Sequence, residues 1–377
     1  MSGLLPNVDP DGLLEYSVVY TDRATNHMSK VFQETMCDIS RILKLVYNAH
    51  SAIIVPGSGT FGMEAVARQF ATGKKCLVIR NGWFSYRWTQ IFEMGAIPSD
   101  SIVLKARPID DGYQAAYVPA PIEEVLVTIS REKPDYVFAP HVETSAGMIL
   151  PDDYLRAVAD AVHSVGGLFV LDCIASGTVW VDMQKCGVDI LISAPQKNMS
   201  GSPCCGLVML NAEARARIDD TTSTSFAADL KKWLQIMETY EQGGHAYHAT
   251  MPTDALRALR QVMQETEAYG FAKVKADQLE LGQKVRALLA ERGIKSVAAD
   301  GFGAPGVIVS YTSDDEIKTG KKFADLGLQI AAGVPLQCDE GPDFKTFRLG
   351  LFGLDKLKNI DRTITTLAQT IDKISGF

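Results

Sequence analysis

Two charged residues follow apolar stretches in the middle of the chain and could do chemistry together. Asp172 ends the run 168–172, and Lys197 comes shortly after the run 190–194. Ligands collect at strand ends in open parallel sheets, so we expect the two side chains to meet. A lysine directly after a buried strand is costly unless it is neutralised, and an imine with an aldehyde cofactor would neutralise it. Asp172 could pair with the ring nitrogen of that cofactor and keep it protonated.

A glycine-containing turn at residues 56–62, PGSGTFG, follows a predicted strand and opens a predicted helix. Glycine allows a tight turn, and the free N–H groups of a helix start, with the hydroxyls of Ser58 and Thr60, suit a phosphate. A dinucleotide site is an alternative, although the GxGxxG pattern is not met. Taken alone, this turn, Lys197 and Asp172 could each be ordinary loop or cap features.

The elements that must position these residues alternate between short apolar runs and helical patterns, which indicates a largely parallel sheet wound with helices. The runs are almost entirely apolar, as in strands that are buried on both faces. Predicted strands cover 52–55, 76–80, 136–139, 168–172, 190–194 and 206–210, and predicted helices cover 63–71, 84–94 and 154–165.

The pattern of predicted secondary structure changes after residue 253. Long polar helices at 254–293, interrupted by Gly270, precede two β-rich runs at 306–311 and 347–352 and a last helix at 355–375. This order predicts a smaller C-terminal α/β domain. We therefore predict an N-terminal segment 1–20, a large domain 21–260 and a small domain 261–377, with the second boundary placed to within ~10 residues.

Composition restricts the function classes. The chain has 377 residues, 46% hydrophobic and 22% charged, with a formal charge of -8 and without the basic clusters that hold nucleic acid. Seven scattered Cys without CxxC spacing indicate neither a disulfide framework nor a zinc site, and we expect no metal. The chain has neither a signal-like start nor 18 consecutive apolar residues, so we expect a cytoplasmic protein with no membrane partner.

Seven motifs occur in an order that resembles class V aminotransferases, more narrowly the alanine–glyoxylate and serine–pyruvate (or serine–glyoxylate) branch. The resemblance covers roughly residues 20 to 375. The motifs are GSGTFGMEA, which contains the turn above, NGWFSYRW at 81–88, HVETSAGMILP at 141–151, LDCIAS at 171–176, SAPQK at 193–197, AYHATMP at 246–252 and FRLGLFG at 347–353.

The resemblance implies the fold and the reaction. It implies a fold-type I α/β protein, with a mostly parallel seven-stranded sheet flanked by helices and a smaller C-terminal α/β domain. It also implies a homodimer with shared active sites and pyridoxal 5′-phosphate (PLP) as cofactor. The reaction would be ping-pong transamination from alanine, serine or a short acidic amino acid to a 2-oxo acid such as glyoxylate or pyruvate.

The resemblance also implies residue roles. Lys197 would hold PLP and move the substrate proton, and Asp172 would face the ring nitrogen. Phe84 would stack on the ring, with Trp83 as the alternative, and Arg348 would clamp the substrate carboxylate. The remaining cofactor ligands would be Ser58, Gly59, Thr60 and Gln196 at the phosphate, Tyr247 and Thr250 at the phosphate from the other subunit, Ile174 on the opposite ring face, and Ser145, favoured over Thr144, at the phenolic oxygen.

The N-terminal region departs from the pattern. Members of this branch usually begin with a Gly-Pro-rich segment over the substrate pocket, whereas this chain reads EYSVVYTDRATNHMSK at 15–30. One hypothesis is that Arg23 contacts a second acidic group on the substrate. An equally good interpretation is a solvated loop arginine that pairs with Asp22 or another carboxylate.

Two other functions stay open from the sequence. A PLP lyase of the cysteine desulfurase type shares the fold and uses a loop cysteine, for which Cys338 is a candidate. Desulfurases resemble one another in placing His directly before the cofactor lysine, whereas this chain has Gln196 there. A non-catalytic relative that keeps the fold for binding is the third possibility, and the presence of Lys197, Asp172 and Arg348 argues against it.

Overall fold

The computed structural model describes residues 13–377, in which helices pack around a seven-stranded and a three-stranded sheet, with two further two-stranded sheets. In chain order the strands are β1 (Ser51–Pro56), β2 (Lys75–Arg80), β3 (Asp100–Lys105), β4 (Arg107–Pro108), β5 (Tyr117–Val118), β6 (Tyr136–Pro140), β7 (Val142–Glu143), β8 (Met148–Ile149), β9 (Leu168–Asp172), β10 (Ile190–Ser193), β11 (Cys205–Leu210), β12 (Val307–Tyr311), β13 (Ala331–Ala332) and β14 (Thr346–Gly350). The helices are α1 (Lys30–Tyr47), α2 (Gly59–Val66), α3 (Trp83–Gly95), α4 (Ile122–Glu132), α5 (Asp152–Ser164), α6 (Met183–Cys186), α7 (Pro195–Asn198), α8 (Ala212–Arg217), α9 (Leu230–Glu241), α10 (Thr253–Tyr269), α11 (Phe271–Ala290), α12 (Asp315–Lys318), α13 (Lys321–Ala324), α14 (Leu354–Leu357) and α15 (Ile360–Ile371). A π-helical turn, Ala67–Ala71, continues α2, and a 3-10 turn, Ile218–Asp220, continues α8.

The central sheet has seven strands in the order β1-β11-β10-β9-β6-β2-β3. Pairing is parallel from β10 to β3, and β11 is antiparallel to both of its neighbours. The six strands predicted from apolar runs are all present, and the seven-stranded, mostly parallel sheet is confirmed. The seventh strand, β3, lies at the edge and is only partly buried, so its sequence lacks the continuous apolar run of a central strand.

The register of the parallel strands brings their carboxyl ends to one edge. Asp172 pairs with Pro140 of β6 on one side and with Ile192 of β10 on the other. The segments that follow β2, β6, β9 and β10 therefore leave the sheet side by side. These segments contain four of the seven motifs that carry the family resemblance.

The helix α1 was not predicted, yet it contacts the carboxyl end of β10. Ser29 caps its first turn by accepting a hydrogen bond from the Phe32 N–H, and its apolar side chains pack into the core. At its end, the buried Tyr47 hydroxyl donates to Ser193 Oγ over 3.0 Å. Helix α1 thereby contacts the strand that leads to Lys197.

The C-terminal part contains a three-stranded antiparallel sheet, β12-β14-β13, and its two longer strands match the predicted runs. The helices predicted at 254–293 are α10 and α11, and Gly270, with φ of 99°, separates them as expected. The predicted division between residues 260 and 261 falls inside α10 and stays a prediction. Residues 1–12 of the predicted N-terminal segment lie outside the described residues. Within residues 13–377, no helix is both long enough and apolar enough to cross a bilayer.

Candidate active site

A cavity lies at the carboxyl edge of the central sheet, and most of the predicted cofactor residues line it. The segments after β1, β2, β6, β9 and β10 each contribute to its wall. The predicted residues that line it are Ser58, Gly59, Thr60, Phe84, Asp172, Ile174, Gln196 and Lys197. Thr144 and Arg87 line it as well.

Lys197 lies in the short helix α7, directly after β10. Pro195 begins this helix, and the neighbouring Asn198 fixes it by donating to Ser193 Oγ over 3.0 Å and to the Tyr47 hydroxyl over 3.3 Å. Burial lowers the pKa of the Lys197 ammonium, while Asp172 opposes this effect and Arg348 adds to it. A lysine with a lowered pKa is better suited to attack an aldehyde or to accept a proton near neutral pH.

Asp172 is the last residue of β9 and is buried, with 6% exposure. Burial raises its pKa to about 6, against the lowering effects of the Ile174 N–H, which donates to Oδ1 over 2.9 Å, and of Lys197. A buried carboxylate with one backbone donor is stabilised by a cation, and a protonated ring nitrogen is such a cation.

The turn between β1 and α2 forms one end of the cavity. Ser58 is the N-cap residue of α2, but its side chain accepts no hydrogen bond from the first N–H groups of the helix. A Cβ at Gly59 would lie 2.7 Å from Ile174 Cδ1, so any side chain here would force Ile174 to shift. Gln196 adds a buried Oε1 atom without a hydrogen-bond partner in residues 13–377. The N–H groups at this helix start fit an anion such as a phosphate, whereas Gln196 Oε1 is an acceptor and requires a donor opposite it.

The ring of Phe84 lies among three cationic groups. Arg87 Cζ is 5.2 Å from the ring centroid, Arg348 Cζ is 5.5 Å from it and Lys197 Nζ is 5.9 Å from it. Trp83, the alternative stacking residue, instead packs on Tyr86 with centroids 5.9 Å apart and does not line the cavity. The geometry therefore favours Phe84 over Trp83.

Thr144 and Ser145 have different surroundings. The Ser145 hydroxyl donates to Glu143 Oε1 over 2.7 Å and accepts from the Trp83 N–H over 2.9 Å. Ser145 does not line the cavity, whereas Thr144 does, and the buried Thr144 Oγ1 has no partner in the described chain. Thr144 therefore presents a free hydroxyl to the cavity and Ser145 does not, and the expected contact of Ser145 with a cofactor stays a prediction.

Glu143 was missed by sequence reasoning, although it lies in the HVETSAG motif. Its buried carboxylate accepts from the N–H and the hydroxyl of Ser85 and from the N–H of Phe84. It thus holds the N-terminus of α3, the helix that carries Phe84 and Arg87. A charged residue inside an apolar motif was the available signal, as it was for Asp172.

Three predicted residues lie elsewhere. Tyr247 and Thr250 do not line this cavity, and their hydroxyls lie 3.0 Å apart on an exposed segment. Arg23 is exposed and also does not line it. Arg348 lies on β14, where its Nε donates to the Ala332 carbonyl over 2.8 Å. It does not line the cavity, but its Cζ lies 5.5 Å from the centroid of Phe84, which does.

Other reactive side chains have structural partners. Cys338 is buried, its Sγ lies 3.5 Å from the Arg80 carbonyl oxygen, and burial raises its pKa to about 12. Burial lowers the pKa of His141 to about 4, and its Nδ1 lies 2.7 Å from Ser176 Oγ. Within residues 13–377, no group of three or more His, Cys, Asp or Glu side chains could hold a metal ion.

Comparisons with known proteins agree with this geometry. The sequence profile described as aminotransferase class-V matches residues 13–301. The alanine–glyoxylate aminotransferase of Rattus norvegicus is 24% identical over 365 residues, which cover 93% of this chain and 82% of the relative. A 2-aminoethylphosphonate–pyruvate transaminase of Bacillus mycoides (strain KBAB4) is 26% identical over 327 residues, which cover 85% of this chain and 84% of the relative.

A solved structure extends the likeness to the whole fold. The ureidoglycine–glyoxylate aminotransferase from Bacillus subtilis matches with a TM-score of 0.76 at 21% identity and covers 96% of this chain and 90% of that chain. The predicted fold-type I architecture is thereby confirmed.

Proposed function

Because the chain belongs to the class-V aminotransferase family, we propose that it is a PLP-dependent transaminase that moves an amino group from a small amino acid to a 2-oxo acid. The observation that carries the proposal is the meeting of Lys197 and Asp172, from adjacent strand ends, in one cavity with Phe84. The donors would be alanine, serine or a short acidic amino acid, and the acceptor glyoxylate or pyruvate. Relatives whose names include glyoxylate and pyruvate support this choice of acceptor.

The cavity fits the proposed cofactor through polar groups that can make a further hydrogen bond. The free N–H groups at the start of α2, Thr60 and Gln196 Oε1 lie at the end suited to a phosphate, although an oxygen acceptor such as Oε1 requires a protonated group or a water opposite it. Thr144 Oγ1 is free to bond a ring substituent, and Phe84 and Ile174 offer apolar surface to the ring. Once bound, PLP would supply an electron sink for the pair left when the substrate Cα loses its proton.

The residues of the chain would position and move the proton. Lys197 Nζ would hold the aldehyde carbon, and, once released by the substrate amine, would take the Cα proton and return it to the cofactor carbon. Asp172 would keep the ring nitrogen protonated. Arg348 would bind the substrate carboxylate through its guanidinium and thereby orient the Cα–H bond.

Three finer assignments belong to the proposal. A homodimer would bring Tyr247 and Thr250 to the phosphate of the neighbouring subunit, which agrees with their exposure in one chain. Arg23 would contact a second acidic group of the donor only if the bound substrate lies near it. We also propose a cytoplasmic location.

The desulfurase alternative is poorly supported by the surroundings of Cys338. A cysteine nucleophile must be exposed and readily ionised, and Cys338 is buried with a raised pKa. A purely binding function would not require a lysine with a lowered pKa beside a buried carboxylate, as Lys197 and Asp172 provide.

A trapping experiment tests the cofactor assignment. Protein mixed with PLP and reduced with borohydride should carry the added mass on the peptide that contains Lys197. The Lys197→Ala variant should carry none, and Lys185→Ala, which removes an exposed lysine, should behave as the wild type. Label on another lysine with none on Lys197 would contradict the proposal.

A half-reaction screen then tests the reaction. Alanine, serine, aspartate and 2-aminoethylphosphonate are mixed separately with the cofactor-loaded protein. A true donor should abolish the visible absorbance of lysine-bound PLP, and glyoxylate or pyruvate should restore it. Release of sulfide from cysteine, dependent on Cys338, would favour the lyase instead.

A further inference from the structure

The charge around Phe84 exceeds what one substrate carboxylate requires. Arg87, Arg348 and Lys197 all place a cationic atom within 5.9 Å of the ring centroid. Among the described residues that line the cavity, Asp172 contributes the carboxylate. The nearby Glu143 is occupied by the backbone of α3. An imine would remove the charge of Lys197, so Arg87 and Arg348 are the permanent cations beside the ring, and they differ in where they are held.

Arg87 is held at the end of the cavity formed by the β1–α2 turn. Its Nη1 donates to Thr60 Oγ1 over 3.0 Å, and Thr60 is the second residue of α2. Arg87 itself lies in the second turn of α3, whose start is fixed by Glu143. The guanidinium is thereby directed to the same helix start whose N–H groups suit a phosphate.

This hydrogen bond also sets the direction of the Thr60 hydroxyl. Because the oxygen accepts from Arg87, its own proton is free to be donated to another group. In residues 13–377 the Thr60 hydroxyl donates to no other side chain or carbonyl, and Thr60 lines the cavity. Arg87 therefore supplies positive charge and also makes Thr60 a donor toward an anion.

Arg348 approaches the same ring from the other sheet. Its Nε is held by the Ala332 carbonyl on β13, and its Cζ lies 5.5 Å from the Phe84 centroid. The two guanidinium groups are thus fixed by separate parts of the chain. Arg87 lines the cavity at its α2 end, whereas Arg348 lies on β14, outside the cavity lining and beside Phe84.

We propose that Arg87 is the cation of the cofactor-phosphate site, where it binds the phosphate and orients the Thr60 hydroxyl, so that Arg348 is left for the substrate carboxylate. This inference rests on the proposed function. Arg87 stands in the NGWFSYRW motif, and the other predicted phosphate ligands of this chain, Ser58, Gly59, Thr60 and Gln196, are all neutral. A guanidinium pairs strongly with a phosphate dianion because both are charged and the fork geometry matches.

The test compares two forms of the cofactor. Cofactor-free wild type and Arg87→Gln are titrated with PLP and with pyridoxal, which lacks the phosphate, and binding is followed by absorbance. Arg87→Gln should weaken PLP binding roughly 10- to 100-fold, the scale of one lost charge-assisted hydrogen bond, and change pyridoxal binding less than about twofold. Arg348→Gln is the matched control: both affinities should stay within about twofold, while the half-saturating concentration of the amino donor rises.

Two further variants separate binding of the phosphate from a merely structural role. Arg87→Lys should recover part of the PLP affinity, since it keeps the charge and loses the fork. Thr60→Val should weaken PLP binding less than Arg87→Gln, and the double variant should be less than additive because the two side chains share a hydrogen bond. Inorganic phosphate should compete with PLP for the wild type and compete more weakly for Arg87→Lys.

Each contrary result has a distinct meaning. Equal losses of PLP and pyridoxal affinity in Arg87→Gln would make Arg87 a structural residue and overturn the inference. Unchanged PLP affinity with a raised half-saturating donor concentration would make it a substrate residue and also overturn it. If Arg87→Gln does not fold, an Arg87→Lys protein with unaltered PLP affinity and phosphate competition overturns it equally. Wild-type protein that binds neither PLP nor pyridoxal would instead contradict the proposed function itself.

Discussion

The cavity floor and the exposed rim segment were predicted from motifs of a similar kind, yet they lie in different surroundings. The cavity floor comprises Gly59, Thr144, Asp172, Ile174 and Lys197, which line one cavity at the sheet edge. The rim segment, residues 245–250, lies outside that cavity, and its Tyr247 is 51% exposed and bonded to Thr250.

The cavity floor is formed within one chain, whereas the rim segment is exposed and could contribute to a site only through a second chain. Floor residues follow buried strands, so the sheet register fixes their positions. Rim residues lie on a loop, and their role depends on a surface that a single chain does not provide. Substitutions in the floor should therefore have large effects that do not depend on protein concentration, and those in the rim should have small effects that do.

The largest expected effect is that of Asp172→Asn on turnover. Loss of the buried charge opposite the ring nitrogen should lower kcat roughly 10²- to 10³-fold, the equivalent of about 3 to 4 kcal/mol for a broken buried pair. Steady-state kinetics at saturating substrate measure it. Asp189→Asn is the control, because Asp189 is equally buried but bonds His163 and Asn211 outside the cavity, so it should lower stability and spare kcat. Equal loss of kcat in both variants would refute the assignment.

The stability of the cofactor-free protein should fall as the pH rises, because of Asp172. Its folded-state pKa is raised to about 6 from 3.8, so its stabilising contribution is full below the unfolded value and is lost as the pH rises through about 6. Relative to Asp172→Asn, the wild type should lose roughly 2 kcal/mol of unfolding free energy between pH 4 and pH 7. Urea unfolding at several pH values measures this difference. A constant difference would show that Asp172 does not titrate with a raised pKa.

Gly59→Ala should disturb the floor by overpacking. The new Cβ would lie 2.7 Å from Ile174 Cδ1 and 3.1 Å from Ala194 Cβ, so Ile174 has to shift within the cavity wall. Overpacking of this kind lowers the unfolding free energy by about 1 to 2 kcal/mol, and PLP binding should weaken with it. Gly341→Ala, where a Cβ meets no atom within 4 Å, serves as the control in the same thermal-unfolding and titration measurements. Tighter PLP binding by Gly59→Ala would contradict the proposed ring position.

The adjacent hydroxyls Thr144 and Ser145 should respond in opposite ways. Thr144→Val should weaken PLP binding by about 1 kcal/mol and leave the stability of the cofactor-free protein nearly unchanged, because its hydroxyl has no partner there. Ser145→Ala should lower that stability by about 1 kcal/mol, because it removes bonds to Glu143 and Trp83, with less effect on PLP affinity. Fluorescence titration and thermal unfolding distinguish them, and the reverse pattern would restore Ser145 as the cofactor ligand.

The smallest expected effect is that of Tyr247→Phe in the rim segment. Loss of one solvent-exposed hydrogen bond to the phosphate should weaken PLP binding by about 0.5 to 1 kcal/mol, and only at protein concentrations at which the chain is dimeric. Titrations over a range of protein concentrations, combined with sedimentation, measure this dependence. Tyr16→Phe, at another exposed tyrosine, should have no effect. Weaker PLP binding by Tyr247→Phe in a monomeric sample would indicate that the rim segment contacts the PLP bound by its own chain.

Part of the site could be predicted from the sequence because the end of a buried strand coincides with the end of an apolar run. The apolar runs before Asp172 and Lys197 correspond to β9 and β10, so the position of both residues at the sheet edge follows from the hydrophobic pattern alone. The helix α1 and the edge strand β3 were missed. Strand β3 is only partly buried, so its pattern is less regular, and α1 was not recognised despite its regular apolar face.

The sequence by itself determined the fold class, the order of the strands along the chain and the positions of Asp172 and Lys197 at strand ends. A buried strand requires a continuous apolar run, and the end of that run is visible in the sequence. Only the tertiary structure decided that Thr144 rather than Ser145 lines the cavity, that Glu143 holds α3 and that Arg87 contacts Thr60. These contacts join segments that are far apart in the chain, and adjacent side chains can face different surroundings. Their directions depend on how the loops leave the sheet, which no spacing in a single sequence records.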